Sequence, residues 1–215
     1  MTTQLQDSTI LLELLASRIC HDLVSPVGAI NNGIEFMEEM VGDPEGIKQA
    51  TDLIAHSAAS AAARLQAFRI AYGAGGRDGN LKPEDIQKAF GALVRVDGKI
   101  RQSWDPYSPL GIDMKATGAC KLLMGALLLA MECLPKGGNI YADPGENGEL
   151  LVTAEGTDAT VRENVEKALA GTLAVSDLDP RLVHPYILGQ TARNYNFDIK
   201  LNLSADNKVI WSIRQ

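Results

Sequence analysis

Three side chains on one short stretch carry the candidate chemistry: His21, Asp22 and Ser25, within His21-Asp22-Leu23-Val24-Ser25-Pro26. A histidine side chain titrates at about 6.5, so most of it is neutral at pH 7 and one ring nitrogen keeps a lone pair to give. A carboxylate beside it can accept a hydrogen bond from the other ring N–H, which fixes the tautomer and makes the open nitrogen a better nucleophile. A hydroxyl four residues on lies one helical turn away on the same face. There it can bond an oxygen of an incoming group or position a water. Pro26 has no N–H and crowds the carbonyl of Asp22, which predicts a bend next to the reactive residue. These residue types also suit an ordinary solvent-facing helix turn, and on types alone both readings stand.

The elements around His21 follow from spacing. Apolar residues recur at three- and four-residue steps from about Asp7 to Val41: Leu12, Leu15, Ile19, Leu23, Pro26, Ile30, Gly33, Met37 and Met40. That is one seam of a helix of roughly 50 Å, with Asp7 or Ser8 as its cap. His21 lies well off this seam, toward solvent. Gly42 ends the helix, and Asp43-Pro44-Glu45 opens a second with a capping acid and a proline at its first position. Ile47, Thr51, Ile54, Ala58, Ala61, Leu65, Phe68 and Tyr72 repeat the spacing, so residues 7 to 72 read as an antiparallel hairpin. Two helices cannot cover both seams, and pairing two hairpins into a four-helix bundle is the simplest solution. The small residues Ala55 to Ala63 allow close helix packing or leave a lane for a partner's helix, and His56 could line that lane. Gly73 to Asn80 is a linker by composition. It divides the chain into a helical-hairpin dimerisation domain, 1–76, and a second domain, 77–215.

Beyond the linker, helices are expected at Pro83–Val94, Lys115–Leu134, Val161–Leu169 and Arg181–Tyr195. Strands are expected at Lys99–Trp104, Asn139–Ala142, Glu149–Ala154, Phe197–Leu203 and Lys208–Ile213. Helices interleaved with strands give a two-layer α/β sandwich, so the fold class is α + α/β. The pattern of Trp104 and Trp211 places them in this domain's core. His184 falls in a turn or helix start with no chemistry assigned. Glu132 and Glu155 show no spacing that would pair them.

Composition narrows the partners. Of 215 residues 46% are hydrophobic and 22% charged, which is globular usage. A net charge of −7 argues against nucleic acid as a partner. Cys20, Cys120 and Cys133 are too few and too scattered for a disulfide scaffold or a zinc site, and buried thiols fit better. Without a signal peptide or an apolar run of bilayer length, no membrane association and a cytoplasmic location are expected.

His21-Asp22-Leu23-Val24-Ser25-Pro26-Val27-Gly28-Ala29-Ile30 resembles the H-box of dimeric two-component histidine kinases. The resemblance implies that His21 bears a phosphoryl group, that Asp22 assists its transfer and that Ser25 assists hydrolysis. Val24 departs from the usual polar residue, which suggests a more apolar docking face. Leu122 to Ile140 resembles the N-box helix, Pro-x-Gly-Gly turn and strand of kinase ATPase domains. However, Gly125 and Leu129 stand where two asparagines belong, and leucine offers a magnesium ion no oxygen. No Asp-x-Gly-x-Gly loop or glycine-rich lid follows. The combination resembles the ChpT-type histidine phosphotransferases of alphaproteobacterial phosphorelays, most closely over residues 11–34 and 120–141. That family implies a homodimer whose C-terminal domain is a degenerate ATPase fold. It takes phosphate from the receiver domain of a hybrid histidine kinase and passes it to response regulators. The Mg2+ belongs to the receiver, and this chain is expected to bind no cofactor, no metal and no ATP. Arg18, Val24, Gly28 and Asn32 are the expected docking residues, with Arg18 steering the acidic receiver pocket. An atypical histidine kinase and a dimeric scaffold or anti-kinase that transfers nothing are the rival functions.

Overall fold

The computed structural model describes residues 2–73 and 81–215, with side chains from residue 5 onward except at 203 and 204. Helix α1 (Thr2–Glu39) and helix α2 (Pro44–Tyr72) form the hairpin. α1 begins before the expected start, so Asp7 and Ser8 lie inside it and not at its beginning. It also runs unbroken through Pro26. Gly42 turns the chain at φ +94°, a left-handed conformation that a Cβ would strain. Asp43 then caps α2, its carboxylate accepting from the Glu45 N–H at 3.1 Å, with Pro44 at the first position. The helices meet closely at Gly33, where a Cβ would come within 2.6 Å of Ile54 Cγ1. Gly73 closes α2 by donating to the Arg69 carbonyl at 3.0 Å. Residues 74–80, and with them the expected boundary between 76 and 77, lie outside the described residues.

The remainder combines helices α3 (Pro83–Asp97), α4 (Ala119–Glu132), α5 (Val165–Ala170) and α6 (Val183–Asn194) with five strands. These are β1 (Ile100–Gln102), β2 (Gly138–Pro144), β3 (Leu150–Glu155), β4 (Asp198–Ala205) and β5 (Lys208–Arg214). The sheet order is β1-β2-β3-β5-β4, parallel between β1 and β2 and antiparallel elsewhere. Every second residue of β3 and β5 is buried: Leu150, Val152 and Ala154, then Val209, Trp211 and Ile213. One face of the sheet is therefore covered by helices. α4 is apolar all round and buried from Ala119 to Ala130, because it lies between that face and α2, α3 and α6. Trp104 also joins the core. Asp206 and Asn207, both with positive φ, make the tight turn between β4 and β5. Of the thiols, Cys120 and Cys133 are buried, and burial pushes both up to about 12. Cys20 departs from expectation and is exposed, because its position on α1 faces neither α2 nor the sheet domain.

The hairpin leans on the second part of the chain through both helices. Ala63, Ala67, Ile70 and Ala71 of α2 join the main core, while Ile10, Leu11 and Leu14 of α1 pack against it. The small-residue stretch of α2 is thus divided. Ala63 is buried, whereas Ala55, Ala58, Ala59 and Ala62 remain exposed.

A polar relay locks the same junction. His184 is 1% exposed; its Nε2–H donates to the Gly125 carbonyl at 3.0 Å, and its Nδ1 accepts from the Tyr72 hydroxyl at 2.8 Å. A carbonyl can only accept, so this partner sets the tautomer. Burial, with Arg18 nearby, holds the imidazole neutral and depresses it from 6.5 to about 3. The unfolded chain takes up a proton at this residue below pH 6.5 and the folded chain does not. Stability is therefore full above 6.5 and is lost as pH falls toward about 3. Urea unfolding at pH 7 and at pH 5 should differ by about 2 kcal/mol from this group. His184→Gln, which does not titrate, should remove that part of the difference.

Candidate functional site

His21 stands on the side of α1 turned away from the apolar stripe, and its side chain is 87% exposed. Its Nδ1 lies 3.2 Å from Asp22 Oδ1, so with a neutral ring Nδ1–H donates and Nε2 is the open nitrogen. Asp22 is 25% exposed, held between the helix surface and the groove toward α2. One ring nitrogen is thus held by a carboxylate and the other points into open space.

Two cavities meet at this imidazole. One, of about 400 Å³, lies in the groove of the hairpin; His21, Asp22 and Ser25 line it from α1, and His56, Ser60 and Arg64 from α2. The other, of about 510 Å³, lies between α1 and the sheet domain, lined by Ser17, Arg18, His21 and Asp22 together with Glu132, Arg162 and Arg181. His21 can thus be approached from either side. Val24, 68% exposed, and Asn32 are open on α1, and Gly28 is half-buried with nothing within 4 Å of where a Cβ would stand. These three line neither cavity. They continue the His21 face along the helix, one to three turns on. Among the described residues, no group of three His, Cys, Asp or Glu side chains could hold a metal ion.

A model of the histidine phosphotransferase C-terminal domain matches residues 83–207. The protein phosphotransferase ChpT of Brucella abortus is 32% identical over 200 residues, covering 91% of each chain. The chain belongs to the histidine phosphotransferase family. A solved bacterial phosphotransferase shares its fold with a TM-score of 0.74 and 29% identity, covering 95% of each chain. The likeness read from the H-box and the N-box helix was therefore to the right family.

Within that family framework, Arg18 needs correcting. It does not extend toward a partner. Its guanidinium is paired with Glu132 and donates to the carbonyls of Pro180 at 3.5 Å and Arg181 at 3.4 Å. The side chains of the pair are 15% and 24% exposed. Burial pushes Glu132 above the ordinary carboxylate range while Arg18 pulls the other way, so the pair is held by proximity at a desolvation cost. The reason is geometric: Arg18 lies one turn before Asp22, on the face of α1 that meets the end of α4.

The exposed cations beside His21 are Arg162 and Arg181, from loops that spacing alone did not bring near it. Glu132 had no visible partner along the chain because its partner is 114 residues away. Glu155 pairs instead with Lys208 at 3.3 Å. Arg64 was also missed, although the hairpin register places it level with Asp22.

Removing one member of the Arg18–Glu132 pair leaves the other half-buried and unmatched. Glu132→Ala should cost about 1–3 kcal/mol in urea denaturation, less than a fully buried pair because both partners keep some solvent. Arg18→Glu, which sets two carboxylates together, should cost more. Equal stability of the wild-type and both variant proteins would refute the clamp.

Proposed function

We propose that the chain is a phosphoryl carrier in which His21 shuttles a phosphoryl group between receiver-domain aspartates. The observation that carries this reading is the exposed imidazole whose Nδ1 is taken by Asp22 and whose Nε2 is bare. In the forward step the Nε2 lone pair attacks the phosphorus of a receiver's aspartyl phosphate. The bond from phosphorus to the acyl oxygen breaks, and its electron pair leaves with the receiver carboxylate. The Nδ1 proton is shared with Asp22, which offsets the positive charge growing on the ring. The reverse step hands the phosphoryl group to the next receiver, and the proton settles back on Nδ1. Ser25, on the same cavity wall, is placed to bond a phosphoryl oxygen or a water. The Mg2+ for transfer sits with the receiver's own carboxylates.

The relative's activity, protein phosphotransferase, supports the chemistry. A receiver of a hybrid histidine kinase and response regulators are the partners that the family resemblance implies. Docking along the groove fits Leu53, His56 and Ser60 of α2 and Ala29 of α1, which line it with His21. Arg162 and Arg181 add positive charge where an acidic receiver pocket would face His21.

Nucleotide chemistry is not part of this reading. Leu129 is 1% exposed within the core, and a Cβ at Gly125 would come within 2.6 Å of Leu188 Cδ1. The two positions that resemble kinase asparagines are thus turned to packing, in keeping with a degenerate ATPase fold.

Pairing into a homodimer is supported by an apolar stripe on the other side of the stem. Leu5, Leu12, Val27 and Ile34 are exposed and fall within about 60° of arc on α1 at 100° per residue, and Val41 is exposed in the turn that follows. Ile47 and Leu65 share one face of α2. A second hairpin seated there buries the stripe and leaves His21 outside.

Incubation with a phosphorylated receiver domain and labelled phosphate should label the chain. His21→Ala should reduce labelling to background, and Asp22→Asn should slow it by roughly 100-fold. Labelling of the His21→Ala protein at the wild-type rate would remove the reading. Light scattering should give twice the chain mass, and Leu12→Asp with Ile34→Asp should give a monomer.

A further inference from the structure

Arg64 reaches from α2 into the space beside His21, and among the described residues no carboxylate answers its charge. It lines the cavity shared by His21, Asp22 and Ser25 and also the neighbouring one shared by Arg18, Asp22 and Glu132. Its Nε is shut off from solvent and has no hydrogen-bond partner among the described residues. A buried donor is costly to leave unmatched, so an acceptor arriving beside this guanidinium relieves that cost.

The register of the hairpin explains the position. Gly33 of α1 abuts Ile54 of α2. About three turns toward the N-terminus from Gly33 is Asp22, and about three turns toward the C-terminus from Ile54 is Arg64. The two therefore stand at the same level across the groove. Arg64 is also about 100° round α2 from Ile47 and Leu65, so a second copy covering the apolar stripe leaves it open.

Loading His21 changes the charge of this corner. A phosphoryl group brings between one and two negative charges to Nε2, close to the Asp22 carboxylate. The ionisable groups facing the groove are Arg18, His21 and Asp22 from α1, His56 and Arg64 from α2, and Glu132 from α4, while Arg162, Asp179 and Arg181 face His21 from the cavity on the sheet-domain side. Arg18 is committed to Glu132, so Arg64 is the cation of the groove side left to meet the incoming charge.

We infer that Arg64 binds the phosphoryl group of phosphorylated His21, donating to a phosphoryl oxygen, and so holds the phosphate on the carrier against return to a receiver. The inference rests on His21 being the phosphoryl acceptor. It adds a residue on the second helix that sets how much phosphate the carrier keeps.

Phosphoramidate tests it without any receiver. The His21 Nε2 attacks phosphorus, the phosphorus–nitrogen bond breaks, and ammonia leaves. Phosphorus NMR across a pH series then reports the second ionisation of the bound phosphoryl group. Loss of a nearby cation in Arg64→Gln should raise that ionisation by about half a unit or more, since the dianion loses its partner. The same variant should move the transfer equilibrium about tenfold toward a receiver domain. Arg64→Lys should restore most of both effects, whereas a merely structural role would leave the ionisation unmoved. If His21 loads normally and the ionisation is the same in all three proteins, the Arg64 assignment is overturned and the carrier reading stands. If the wild-type protein forms no phosphohistidine at His21, both are overturned.

Discussion

A phosphoryl-accepting imidazole has to satisfy two opposed demands: one nitrogen must be held and the other must be bare. Burial would meet the first and defeat the second, as His184 shows, with both nitrogens occupied and its proton affinity depressed. His21 meets both because its partner is the next residue along the helix. Adjacent side chains diverge by about 100°, so Asp22 settles toward the groove and still reaches back to Nδ1, while the ring stays open to solvent. The carboxylate is partly shielded and the ring is not.

The sheet domain anchors the helix that carries this pair. Arg18, one turn before Asp22, is tied to the end of α4 and to the loop leading into α6. Tyr72, at the far end of α2, is tied through His184 to the middle of α4. Both ties end on α4. Its interior is given to packing, and its backbone and its last acid serve the hairpin.

Much of the frame could be read residue by residue. The three- and four-residue apolar steps announced α1 and α2, Asp43-Pro44 announced the start of the second, and the alternation in residues 149–154 and 208–213 announced strands with one buried face. The start of α1 was misjudged because its first turns carry polar residues with no apolar period. A single seam was also assigned where α1 has further apolar faces: besides the one that meets α2 at Gly33, one stripe remains open, and another, through Ile10, Leu11 and Leu14, packs on the sheet domain. The proline inside α1 does not end the helix, which is continuous from Thr2 to Glu39.

The chain's linear pattern was enough to identify His21, Asp22 and Ser25 as one unit, because their relation is local and a helix of 3.6 residues per turn fixes it. It was also enough to show that Leu129 offers no oxygen to a cation. The fates of Arg18, Glu132, Arg64, Arg162 and Arg181 could not be had that way. Each depends on which distant surface comes to rest against α1, and a charged side chain carries no mark of its partner until the fold brings the partner within reach. Arg18 had the right chemistry for docking, but the end of α4 had already claimed it.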